Sequence, residues 1–89
     1  MPPKLSAADE HQDEDIRDRV AAMDSPLCEA LLNIVLSGEA HVYESGAATL
    51  HQNTNFLVKT GNIYRVAIGW SEALKRWADN EIAARRRRR

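Results

Sequence analysis

The stretch KTGNIYRVAIGWSEALKRW, Lys59 to Trp77, decides the reading of the fold, because Phe56, Ile63, Trp70 and Trp77 recur through it every seven residues. That spacing predicts a heptad stripe on a helix. Val66 and Ala73 continue the seam midway, with Lys59 and Asn80 at the matching positions near its ends. A second apolar row (Leu50, Leu57, Tyr64, Ala67 or Ile68, Leu74) runs beside it, so the helix wants more than one neighbour. If Leu50 to Ala84 is one helix, its 35 residues span about 52 Å at 1.5 Å per residue, longer than a small globular core requires.

Working outward, Ser25-Pro26 reads as a helix start, with serine able to cap and proline at the first helical position. Leu27, Leu31, Ile34, Val35 and Val42 then share one face, and the run Leu31–Leu36 predicts deep burial. From Tyr43 to Asn55 the chain is polar and small. It reads either as a turn between two helices or as a poor stretch of one long helix. Gly38, Gly46, Gly61 and Gly69 would each cost roughly 1 kcal/mol inside a helix, and at Gly61 and Gly69 the reading is close approach of two backbones. Ile16, Val20 and Met23 allow a short helix from Asp13 to Met23 with an acidic outer face. The division that follows is a disordered acidic tail at residues 1–12, a helical coiled-coil region at 13–84 and a basic tail at 85–89.

Eighty-nine residues make one small domain at most, of a size that usually leans on disulfides, metal or partners. Partners are the answer favoured here. The one cysteine, Cys28, has no internal disulfide mate, and neither a leader nor a run of about 18 apolar residues is seen, so a soluble cytoplasmic protein is expected. The net charge of −1 hides an asymmetry: seven acids fall in Met1–Asp24, whereas Arg85 to Arg89 end the chain. His11, His41, His51 and Cys28 lack metal-ligand spacing, Cys28 lacks a paired base, and no phosphate-binding loop is present. No enzyme, catalytic residue, metal, cofactor or small-molecule substrate is therefore expected. The arginines suit phosphates but equally a helix C-terminus, and without a second basic cluster nucleic acid is not expected. The expected partner interface comprises Leu31, Ile34, Val35, Val42, Phe56, Leu57, Ile63, Tyr64, Val66, Trp70, Leu74 and Trp77.

Two blocks carry a family resemblance. Glu29-Ala30-Leu31 followed by Gly38, Ala40 and Tyr43, and Thr60-Gly61 followed by Ala73-Leu74-Lys75, Asp79 and Glu81, resemble the family of subunit 1 of the biogenesis of lysosome-related organelles complex 1, shared with the lysosome-positioning complex BORC. The segment from Tyr43 to Thr60 is one heptad shorter than in that family, which would preserve a coiled-coil phase. The resemblance spans roughly Leu27 to Ala84. It implies an all-α fold, with elongated helices forming a coiled coil or bundle with partner subunits. It also implies a non-enzymatic scaffold role in endosome–lysosome trafficking, lysosome-related organelle biogenesis and lysosome positioning, beside other helical subunits of the same complex. The location implied is cytoplasmic and peripheral to endosome or lysosome membranes, with indirect membrane association and a possible mitochondrial fraction. The alternatives are a small helical nucleic-acid-binding protein led by the arginine tail and a self-contained homodimeric coiled coil.

Overall fold

A computed structural model describes residues 7–87. Helix α1 (Ala7–Ala21) is followed by α2 (Ser25–Ser37), strand β1 (Glu39–His41), α3 (Ser45–Asn53), the hairpin β2 (Leu57–Thr60) and β3 (Ile63–Val66), and finally α4 (Ile68–Arg87). The chain is thus mostly helical but carries a three-stranded antiparallel sheet in the order β1-β3-β2. Neither one long helix nor a helical hairpin broken near Gly46 describes it.

The correction centres on Thr60-Gly61-Asn62-Ile63. Thr60 pairs with Ile63 across a two-residue loop, Gly61 has φ 60°, and no non-glycine residue among those described has positive φ. This is the pattern of a type II′ turn, which matches the twist of the flanking strands and needs glycine first. The β-branched and aromatic side chains of Val58, Ile63, Tyr64 and Val66 favour strands for the same stretch. The seven-residue recurrence therefore crosses a hairpin: Phe56 precedes β2, Ile63 lies on β3, and only Trp70 and Trp77 share a helix. Gly61 serves the turn and Gly69 meets nothing within 4 Å, so neither brings two backbones together.

Elsewhere the start of α2 is as expected, but its cap is Asp24, whose carboxylate accepts from the Leu27 N–H at 2.9 Å, with Pro26 in the first turn. The helix stops at Ser37, where the Gly38 N–H donates to the Ile34 carbonyl at 2.7 Å, and Val42 lies beyond β1. Of the run Leu31–Leu36, Leu31, Leu32 and Ile34 are buried, but Leu36 is 58% exposed. Helix α1 begins at Ala7, so residues 7–12 are helical and not a tail. Likewise Arg85 to Arg87 form the last turn of α4, where their charge suits the helix dipole. Residues 1–6 of the expected acidic tail and 88–89 of the basic one lie outside the described residues.

The largest fully buried side chains are Ile16, Leu31, Leu50, Phe56 and Leu74, drawn from α1, α2, α3, the α3–β2 connection and α4. One core thus joins every helix. Phe56 sits in it with its ring edge-on to Trp70 at 4.8 Å and the Arg19 guanidinium 5.6 Å above the ring. Helix α1 runs parallel to α4, tied by Arg76 Nη2 to Asp13 Oδ1 at 2.9 Å and by Gln12 Nε2 donating to the Gly69 carbonyl at 2.7 Å. The sheet packs one face on α2 and α3 through Ala40, Leu57 and Tyr64 and turns Glu39, Val58 and Arg65 to solvent.

Candidate functional site

The expected partner interface is, for the most part, the chain's own core. Leu31, Ile34, Phe56, Leu57, Tyr64 and Leu74 are buried, and Val35, Val42, Val66, Trp70 and Trp77 are half-buried against them. Ile63 is half-buried on β3. The stripe is covered because the hairpin folds the chain back, so that residues expected along a rod gather around one centre. Eleven of the twelve lie outside the groove between α2 and α3, and Ile34 is the one that borders it.

The histidines and Cys28 are dispersed. His41 stacks on Tyr43 at 5.0 Å, and His51 tilts against Tyr64 at 4.9 Å. Cys28 Sγ donates to the Val20 carbonyl at 3.6 Å. Its thiol is pushed above its ordinary value, first by burial, then by the negative charge of Glu81, Asp24 and Glu29, with Arg85 opposing. Such a thiol is a poor nucleophile near neutral pH.

What the chain leaves open is a groove along the seam between α2 and α3. Helix α3 approaches α2 very closely: a Cβ built on Gly46 would fall 2.6 Å from Ala30 Cβ. Only the Ala30 methyl therefore lies between the two backbones at that point, and a valley is left above. One stretch of it, about 600 Å³, is floored by Ala30, Ile34 and Ala47 and edged by Leu36, Glu39 and Glu44. A second, about 430 Å³, adds Pro26, Leu27, Thr49, Asp24 and Glu29. Both include Ala30, Asn33 and Gly46, so they form one continuous groove. From Pro26 to Ser37 it follows α2 for about 16 Å, three helical turns.

The groove's electrostatics follow from its lining. Among the described residues, Asp24, Glu29, Glu39 and Glu44 border it, and no lysine or arginine does. Asp24 is engaged as the α2 cap, and Glu29 holds Arg85 Nη2 at 2.7 Å. Glu39 and Glu44 are exposed and form no ion pair with a described residue. A separate recess of about 350 Å³ between α1 and α4 holds Arg17, Arg76 and Trp77, but there Arg76 is already bound by Asp13 through both nitrogens it presents. It reads as the mouth of a helix contact.

Sequence reasoning passed over the groove because its residues are ordinary one by one. A signal exists in the row Pro26, Ala30, Asn33 and Ser37, small or polar groups at helical spacing on an otherwise apolar helix, with a glycine early in the next helix. Among the described residues no helix is long and apolar enough to cross a membrane. No family model, curated protein or solved structure matches the chain.

Proposed function

We propose that this protein is a non-enzymatic interaction subunit that holds a partner protein along the α2–α3 groove. The observation that carries the reading is the groove: a continuous, largely apolar valley with Leu36 58% exposed at its lip. Apolar concavities rimmed by polar groups are surfaces that association buries. The family resemblance names one kind of host assembly, the endosome–lysosome complexes with their cytoplasmic, membrane-peripheral location. That role implies a long coiled coil, whereas residues 57–66 form a hairpin, so the subunit role is proposed on the groove and not on the resemblance.

The test is co-purification from the source cells of the wild-type chain and an Asn33→Trp variant, in which an indole fills the groove floor from an exposed position. Stoichiometric protein partners that accompany the wild type and are lost from a folded Asn33→Trp chain support the reading. Identical partner sets would overturn it.

Nucleic-acid binding is the second reading, favoured by the hairpin. Lys59 and Arg65 are exposed on opposite faces of it, Arg65 cross-strand from Glu39, and neither forms an ion pair with a described residue. Binding to duplex DNA or RNA with a steep salt dependence, lost on Lys59→Gln/Arg65→Gln, would favour this reading over the first.

A further inference from the structure

We infer that the partner segment held in the α2–α3 groove is a basic amphipathic helix, an inference that rests on the interaction reading above. Its sign of charge comes from the lining, which among the described residues contributes four carboxylates and no cation. Glu39 and Glu44, which form no ion pair with a described residue, stand at one end, with Arg65 cross-strand from Glu39 but outside the lining, so an incoming helix would place its lysines or arginines there. Like charges at that rim would repel an acidic segment and exclude it.

The helical form follows from shape. Helix α2 borders the groove from Pro26 to Ser37, about 16 Å, with α3 contributing Gly46, Ala47 and Thr49, a length that matches three turns of a helix laid along α2. Ala30, Gly46 and Ala47 are small enough to receive side chains from such a helix, as ridges enter grooves between packed helices. An extended segment would instead seek a sheet edge, whereas the groove is bordered mainly by α2 and α3, with β1 reaching it only at Glu39. The described arginines of α4 do not supply the occupant. Arg85 is held by Glu29 and Glu81, Arg87 Nε donates to the Ala83 carbonyl, and the last turn of α4 lacks apolar side chains spaced to fill the floor.

The experiment uses fluorescence anisotropy with the full chain and two 15-residue helical probes. One carries leucines at i, i+4, i+7 and i+11 with lysines on the flanks, and the other replaces every lysine by glutamate. At low ionic strength the lysine probe is expected to bind at least about tenfold more tightly. Glu39→Lys/Glu44→Lys should reverse the preference, Glu10→Gln/Glu14→Gln on α1 should leave it intact, and Asn33→Trp should abolish binding of both probes. Circular dichroism confirms that each variant folds.

Equal affinities, or a lysine preference that survives Glu39→Lys/Glu44→Lys, would overturn the inference. If a probe of either charge still binds in an Asn33→Trp-sensitive way, the interaction reading stands and only the basic partner falls. If no probe binds, the inference falls; the interaction reading then stands only where Asn33→Trp strips a co-purifying partner, and falls with it where filling the groove changes nothing.

Discussion

Ala30 Cβ lies 2.6 Å from the position that a Cβ on Gly46 would occupy, closer than two carbon atoms can sit. The contact sets the spacing of α2 and α3 and hence the depth of the groove. Alanine at position 46 gains about 1 kcal/mol of helix propensity, but overpacking a rigid contact costs about 1–3 kcal/mol. Gly46→Ala should therefore be net destabilising in urea, and adding Ala30→Gly should recover most of the loss. A stabilised Gly46→Ala chain would mean that the helices part freely.

Phe56 is fully buried and meets Trp70 edge to face. Phe56→Ala should cost about 3–5 kcal/mol, enough to leave a small domain largely unfolded. Trp70→Ala should also lower the melting temperature while leaving the probe affinity of the folded fraction unchanged, since Trp70 packs on the core and does not line the groove. Weaker peptide binding by a fully folded Trp70→Ala chain would return Trp70 to an interface.

Gly61 holds the hairpin turn at φ 60°. An alanine there meets no steric neighbour, so its cost is conformational, about 1–2 kcal/mol. The urea midpoint should fall accordingly. No change would argue for a different turn.

Arg76 grips the Asp13 carboxylate between α1 and α4, with both side chains partly shielded from water. Asp13→Asn keeps the shape and removes the charge, for an expected loss of about 1 kcal/mol at low salt that shrinks as ionic strength rises. A loss independent of salt would assign the contact to packing.

The raised Cys28 thiol has a sign that can be checked. Folded protein binds this proton more tightly than unfolded chain does, so the contribution is fully present below the ordinary thiol value of 9.0 and fades as pH rises through the folded value. Wild type should lose stability above about pH 9 in excess of a Cys28→Ala chain. At pH 8, iodoacetamide should modify the folded thiol more slowly than the urea-unfolded one.

Helix α2 and the second half of α1 were legible in sequence because Leu27, Leu31 and Ile34, and Ile16 and Val20, repeat at helical spacing, and because Pro26 marks a start, whereas residues 7–12 carry no such repeat. The hairpin was misread because Phe56, Ile63, Trp70 and Trp77 satisfy a heptad by coincidence, while the decisive signal was only two residues long, Gly61-Asn62, between β-branched and aromatic neighbours. The apolar residues expected at a partner interface lie buried or half-buried within the chain itself. Periodicity cannot tell which chain does the burying, and the groove, made by what is missing at Gly46 and Ala30, leaves no apolar pattern to find.

Asp13 and Arg76, the ion pair joining α1 to α4, are 63 residues apart in the chain. At a synthesis rate of about 5–20 residues per second, the first helix waits roughly 3–13 s for its partner to be made. Through that interval Ile16 and Val20 have no α4 to cover them. Helix α1 is thus translated well before the helix it docks against, and its apolar face stays uncovered by α4 until Arg76 has been made.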